Sequence, residues 1–184
     1  MAKIVVGMTG ASGSLYATRL MRHLKALNHT VEFVCTDAGK KVAYYEKSAE
    51  CFDLADKVYS NEDYFAPIAS GSYTYDGLVI LPCSMGTLGK IASGVADNLL
   101  CRAADVRLKE RRRLIIVPRE MPFSGLHLQN MARLAEWGAC ILPACPHFYH
   151  HPQNIEDLVD TVLARVLDQL ELEHSIGERW GENT

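Results

Sequence analysis

Asp97-Asn-Leu-Leu-Cys-Arg102-Ala-Ala-Asp105-Val-Arg107-Leu-Lys109-Glu-Arg111-Arg112-Arg113-Leu-Ile-Ile-Val117-Pro118-Arg119-Glu120 holds seven of the chain's 19 lysines and arginines, in a protein of net charge −3. The stretch reads as a helix running into a strand over 114–117, an apolar run of the kind buried on both faces of a parallel sheet. Pro118 stops the strand and leaves Arg119 and Glu120 at its C-terminal end, the end at which open α/β sheets bind ligands. A cation beside a carboxylate at that point indicates anion binding coupled to proton transfer. Arg111, Arg112 and Arg113 read as a solvated helix face. Arg102, Lys109, Arg119 and Glu120 read as ligand-facing.

The same unit recurs on either side of this stretch. Lys3 to Met8 is a short apolar strand, followed by Thr9-Gly10-Ala11-Ser12-Gly13-Ser14 and a helix carrying Ala17, Leu20, Met21, Leu24 and Leu27 at helical spacing. Strand, small-residue turn and helix form a phosphate-binding arrangement, because open N–H groups at a helix start favour an anion. The turn is neither the dinucleotide G-x-G-x-x-G nor a P-loop, and a plain tight turn is the alternative. A second strand spans 30–35, with Thr36 ending it and Asp37 placed to cap the next helix. A third spans 77–81, and Pro82-Cys83-Ser84-Met85-Gly86-Thr87 leads into a helix through Leu88 and Ile91. Two such turns at strand ends face one crevice. Cys83 has no cationic or histidine neighbour in sequence to activate it. Beyond Glu120, Ser124 caps a helix through Trp137, Gly138 ends it, and 139–142 is a fifth strand. In the proline-bounded loop 143–152, Cys145, His147, His150 and His151 match no zinc spacing. Asn154 caps a final helix whose apolar face includes Leu158, Val162, Val166 and Leu170, with Arg165 at its border. Residues 47–75 read as irregular and polar, and Ala69-Ser70-Gly71-Ser72 within them as either a loop lying against something or a surface excursion.

The 184 residues suit one domain, 1–170, with a polar tail, 171–184, that docks on a neighbour through Trp180. A pI near 6.2 argues against a nucleic-acid or membrane-surface protein. Neither a signal peptide nor a membrane-spanning run is legible, and six cysteines without a C-x-x-C pair suit a reduced, cytoplasmic chain. Strands alternating with helices indicate an α/β sandwich of three layers around a parallel sheet. Two small-residue turns without a P-loop lysine or a ribose-reading acid favour a mononucleotide of the flavin type, with a second anion near Arg119 and Glu120.

Gly10-Ala11-Ser12-Gly13, Ala69-Ser70-Gly71-Ser72, Leu81-Pro82-Cys83-Ser84-Met85-Gly86-Thr87, Leu108-Lys109-Glu110-Arg111, Val117-Pro118-Arg119-Glu120 and Phe148-Tyr149-His150 resemble the UbiX-type flavin prenyltransferases, formerly called phenylacrylic or aromatic-acid decarboxylases. The resemblance implies a flavodoxin-like, Rossmann-like fold, bound FMN, and a site completed by a neighbouring subunit of a homo-oligomer, a dodecamer. It implies transfer of dimethylallyl from dimethylallyl monophosphate to N5 and C6 of reduced FMN, giving the prenylated FMN used by UbiD-type decarboxylases. Gly10, Ala11, Ser12, Thr36, Ser84, Met85, Gly86, Thr87 and Arg119 match FMN-binding positions. Lys109, Tyr149 and Arg165 match positions that hold the prenyl phosphate, and Arg102 assists them. Glu120 matches the acid/base carboxylate, and Ser12 joins it as a catalytic residue. Fixed cations suit a departing phosphate, and closure at C6 needs a base for the proton it loses.

Two other readings compete. A peptidyl- or pantothenoyl-cysteine decarboxylase on the same fold would need a histidine after a Gly-rich segment, and none lies between His29 and His127. The non-catalytic reading is a flavodoxin-like electron carrier or an accessory flavoprotein subunit of an aromatic-acid decarboxylase, and a bare carrier has no use for clustered cations at a second anion site. Glu156-Asp157-Leu158-Val159-Asp160 has the spacing of a Mg²⁺-binding acidic motif but fills the first turn after Asn154, where the helix dipole explains acidic residues. Asp157 and Asp160 are therefore expected on or near the solvated side, and the enzyme is expected to need no metal.

Overall fold

The computed structural model describes residues 1–177 and 181. Six strands form one all-parallel sheet: β1 (Lys3–Met8), β2 (Thr30–Cys35), β3 (Lys57–Tyr59), β4 (Gly77–Cys83), β5 (Leu114–Pro118) and β6 (Cys140–Ile141), in the order β3-β2-β1-β4-β5-β6. The chain builds outward from β1 through β2 to β3, then returns to the other side of β1 and builds outward again through β4, β5 and β6. The direction reverses between β1 and β4, which opens a crevice beyond their C-terminal ends. The short edge strand β3 is the departure from the five strands expected. Its three residues are too few to show a period, and they lie in the polar stretch 47–75, which also holds α3 (Cys51–Leu54) and a single 3₁₀ turn (Pro67–Ala69). Without β3 the order is the flavodoxin-like 2-1-3-4-5, and the switch point is the same.

The apolar strands are continuous because both faces are covered. Ile4, Val6, Met8, Val79, Leu81, Ile115 and Val117 pack with residues of α1 (Ser14–Ala26) and α7 (Ile155–Gln169) on one face. Val5, Leu78, Ile80, Leu114 and Ile116 alternate with them and pack with α4 (Met85–Ala92), α5 (Leu99–Lys109) and α6 (Gly125–Glu136) on the other. Between β2 and α3, α2 (Asp37–Tyr45) is capped by Thr36, whose hydroxyl accepts from the Gly39 N–H at 3.1 Å. Asp37 is the first helical residue instead, since a cap must stand in extended backbone before the helix. Ser124, Asn154, Asn98 and Ser84 cap α6, α7, α5 and α4.

Arg107, Arg112 and Arg113 of the central stretch are fastened to backbone. Arg107 is 2% exposed, and its guanidinium donates to the carbonyls of Arg113, Tyr75 and Asp76 while lying 4.5 Å from the Tyr75 ring centroid. Arg112 donates to the Gly71 carbonyl at 2.9 Å and Arg113 to the Leu170 carbonyl at 2.6 Å, so neither lies on the solvated face expected of them. Arg111 is exposed. Asp160 also differs from expectation. Its side chain is 17% exposed and ties α7 to α1 through Arg19 and His23, whereas Asp157 is exposed. Burial alone would raise the Asp160 carboxyl, but hydrogen bonds from His23 and Arg19 outweigh it and hold the group below its ordinary value. Past α7, Leu172 and Ile176 pack against the α1–α7 face. Trp180 lies outside the described residues.

Candidate functional site

Thr9, at the end of β1, holds the two turns side by side. Its hydroxyl donates to the Pro82 carbonyl at 2.8 Å and accepts from the Ser84 N–H at 2.7 Å, with 1% of the residue exposed. One buried side chain therefore joins the ends of β1 and β4 at the switch point, a pairing that needs 75 residues of chain between its members and leaves no local signal. Close packing around the first turn depends on glycine. A Cβ on Gly10 would stand 2.6 Å from the Ala38 Cβ, and one on Gly39 would stand 3.0 Å from the Met8 and Thr9 carbonyl oxygens. These two glycines let the start of α2, with Thr36, press against the turn.

The first turn is an anion cradle, and the chain's own Glu46 fills it. Its carboxylate accepts from the Gly13 N–H at 3.1 Å, the Ser14 N–H at 2.8 Å and the Ser14 hydroxyl at 2.6 Å. Burial alone would raise this carboxyl, but hydrogen bonds from the Ser12 and Ser14 side chains and from the backbone outweigh it and hold the group below its ordinary value. The N–H groups of Gly13 and Ser14, at the end of the turn, are thereby taken up by the chain itself. Glu46 was missed in the sequence because it stands at the far end of α2, in a segment that carries no motif.

Among the described residues the second turn has no such plug. The Ser84 hydroxyl accepts from the Thr87 N–H at 3.4 Å, and a Cβ placed on Gly86 would meet no atom within 4 Å. The start of α4 thus faces open space with a positive dipole end. Beside it, Arg119 follows β5, its N–H donating to the Cys83 carbonyl at 3.2 Å. The Arg119 Nε is buried and has no hydrogen-bond partner among the described residues, an arrangement that suits an oxygen from outside the chain. Glu120 is exposed, and its carboxylate accepts from the Met121 N–H at 3.0 Å. Cys83 is fully buried and its thiol is pushed up by that burial, so it is no nucleophile.

The cations expected at the second anion are not all brought to this crevice. Arg119 and Glu120 stand at one end of β5, and Lys109, at the end of α5, stands near the other, on the order of 13 Å away for a five-residue strand. Lys109 pairs with Glu110, and both lie against Gly71, so the loop at 69–72 rests on its own chain. Arg102 donates to the Ala69 carbonyl at 3.2 Å and pairs with Asp105 at 2.6 Å. A cavity of about 990 Å³ opens at that far edge among Lys109, Arg111, Arg112, Arg113 and Trp137, away from both turns.

Tyr149 and Arg165 belong to the β6 side. Arg165 lines a cavity of about 330 Å³ with Cys140, Cys145, His147, Thr161 and Gln169. The His147 ring stacks on Tyr149 at 4.1 Å between centroids, with its Nε2 3.3 Å from the Tyr149 hydroxyl. Burial first, then His150 and Arg165, lowers the His147 pKa and keeps the ring neutral. His147 thus stacks on Tyr149 while His150 packs at an angle against both rings, and among the described residues no three His, Cys, Asp or Glu side chains cluster as a metal site.

The chain matches the Flavoprotein family over residues 1–167. It is 47% identical to the flavin prenyltransferase UbiX of Halalkalibacterium halodurans, over 96% of this chain and 92% of that one. The chain belongs to the UbiX flavin prenyltransferase family. A UbiX crystallised with FMN and dimethylallyl pyrophosphate superimposes with a TM-score of 0.93 at 41% identity, covering 98% of this chain and 97% of that one. A dodecameric, FMN-dependent UbiX-like decarboxylase from Escherichia coli superimposes with a TM-score of 0.90 at 44% identity, covering 94% and 96%. The UbiX fold thus accounts for the parallel sheet, the switch point and the two turns. It is an α/β fold of the flavodoxin-like kind, and among the described residues no helix is long and apolar enough to cross a membrane.

Proposed function

We propose that this UbiX-family protein transfers a dimethylallyl group from dimethylallyl monophosphate to reduced FMN, giving prenylated FMN for a UbiD-type decarboxylase. The observation that carries the reading is the buried, unpartnered Nε of Arg119 beside the open start of α4, a built place for a ligand oxygen and a phosphate. The residues fit FMN. Ser84, Met85, Gly86 and Thr87 would hold its phosphate, Arg119 a ring oxygen, and Gly10, Ala11, Ser12 and Thr36 the flank of the crevice. Reduced FMN, when bound, supplies the nucleophilic N5 and the adjacent C6.

The chain's own groups do the rest. Arg102, Lys109, Tyr149 and Arg165 would bind the prenyl phosphate and stabilise the charge that grows on it as its C–O bond breaks. The Glu120 carboxylate, held toward its own backbone and open to solvent, is placed to accept the proton that ring closure at C6 releases. The Ser12 hydroxyl, which helps to hold the Glu46 carboxyl below its ordinary value, would assist proton movement at the crevice. Because Lys109 stands away from Arg119 in one protomer, a second copy of the chain supplies it, in a homo-oligomer that we propose is dodecameric. Six free thiols accord with a cytoplasmic location.

The test is mass spectrometry of the flavin after the protein is incubated anaerobically with reduced FMN and dimethylallyl monophosphate. The expected result is FMN heavier by one C5 unit. FMN recovered unmodified, with the protein folded and flavin-bound, would favour the accessory flavoprotein reading instead.

A further inference from the structure

Arg165, which the proposed function places on the prenyl phosphate, is held by a chain of contacts that reaches into the tail. Its Nη1 donates to Asp168 Oδ2, one turn further along α7. The other carboxylate oxygen, Asp168 Oδ1, lies 3.1 Å from His174 Nε2. The His174 side chain is 3% exposed, and its Nδ1 accepts from the Ile176 N–H at 3.2 Å. A nitrogen that accepts from an amide carries no proton, so the ring proton is on Nε2 and is donated to Asp168. The tail is fixed in this pose. Glu171 turns the chain with a positive φ of 57°, the Leu172 N–H donates to the Leu167 carbonyl at 3.1 Å, and Leu172 and Ile176 pack on the α1–α7 face.

The Arg165 side chain is 58% exposed and that of Asp168 18%, so the carboxylate is the fixed member and the guanidinium the one being held. An exposed arginine samples many rotamers, and tying one Nη leaves Nε and the other Nη presented together, the edge that binds a phosphate in bidentate fashion. We infer that Asp168 and His174 are positioning residues for prenyl-phosphate capture, so that segment 172–176 belongs functionally to the active site. The inference rests on the phosphate role of Arg165, and the experiment separates the two.

Initial rates are measured at saturating reduced FMN with varied dimethylallyl monophosphate. Asp168→Asn, which is isosteric, and His174→Phe, which keeps a buried ring without the donor, should each raise KM about three- to ten-fold, with kcat and FMN affinity near wild type. His174→Gln, which keeps an N–H near the Nε2 position, should restore most of the loss. In an Arg165→Ala background, Asp168→Asn should add nothing. Wild-type KM in Asp168→Asn and in His174→Phe, alongside a raised KM in Arg165→Ala, would overturn this inference while leaving the role of Arg165 standing. So would a double variant in which the effect of Asp168→Asn multiplies fully with that of Arg165→Ala. An Arg165→Ala enzyme with unchanged KM would remove the phosphate role of Arg165, and this inference with it.

Discussion

Replacing Glu46 by glutamine tests whether the first turn is held by an internal anion. The carboxylate takes bonds from Gly13 and Ser14 through both oxygens. Glutamine has one acceptor oxygen. If it keeps the Ser14 contacts, its NH₂ group faces the Gly13 N–H, donor against donor. The loss is one hydrogen bond to a charged group, roughly 1.5–3 kcal/mol, plus the favourable placement of a negative charge at a helix start, roughly 0.3–1 kcal/mol. Partial exposure of the site screens both, so about 1–2 kcal/mol is expected, or a Tm lower by about 2–8 °C for a chain of this size. The dependence on pH follows from the lowered carboxyl. A group held below its ordinary value near 4.5 contributes stability that is complete above that value and fades as pH falls through the lower, folded-state value. The gap between wild type and Glu46→Gln should therefore be flat from pH 8 to about 5 and close below that. Urea or thermal unfolding of both proteins at a series of pH values measures it. A Glu46→Gln protein as stable as wild type at pH 7, with a parallel pH profile, would refute the idea that this carboxylate holds the turn.

Further outcomes are expected at the site and in the packing around it. Glu120→Gln should bind FMN normally and form prenylated FMN about 10²- to 10⁴-fold more slowly, and a rate within a few-fold of wild type would deny Glu120 the role of base. Lys109→Ala should weaken binding of the prenyl phosphate and leave FMN affinity unchanged in separate titrations, whereas equal loss of both would place Lys109 on the wrong phosphate. Thr9→Val keeps the shape but removes the bridge between the turns, so it should lower stability by about 1–3 kcal/mol and weaken FMN, read by flavin fluorescence during unfolding and titration. Activity should persist in EDTA and in Asp157→Asn; Asp160→Asn should lower stability by about 1–3 kcal/mol through the loss of the Arg19 and His23 contacts, and turnover that vanished in chelator and returned with Mg²⁺ would assign the phosphate to a metal.

The sequence by itself determined what depends on neighbouring residues. Continuous apolar runs at β1, β2, β4 and β5 announced strands buried on both faces, small-residue turns after β1 and β4 announced the ends that face a ligand, and Ser124 and Asn154 announced their helices, because each is a local pattern of period or capping. Motif spacing likewise carried the UbiX resemblance, and the proposed site residues, from Gly10 to Arg165, rest on that resemblance. Tertiary structure decided what depends on residues far apart in the chain. That Thr9 ties Pro82 to Ser84, that Glu46 plugs the first turn, that Arg107 and Arg112 fasten backbone, and that Asp160 is drawn between α7 and α1 are each set by packing across roughly 30 to 140 positions. A carboxylate or guanidinium reads the same in sequence whether it meets water, a peptide N–H or a ligand. Which of these it meets depends on the fold around it, and that in turn sets whether its charge serves stability or chemistry.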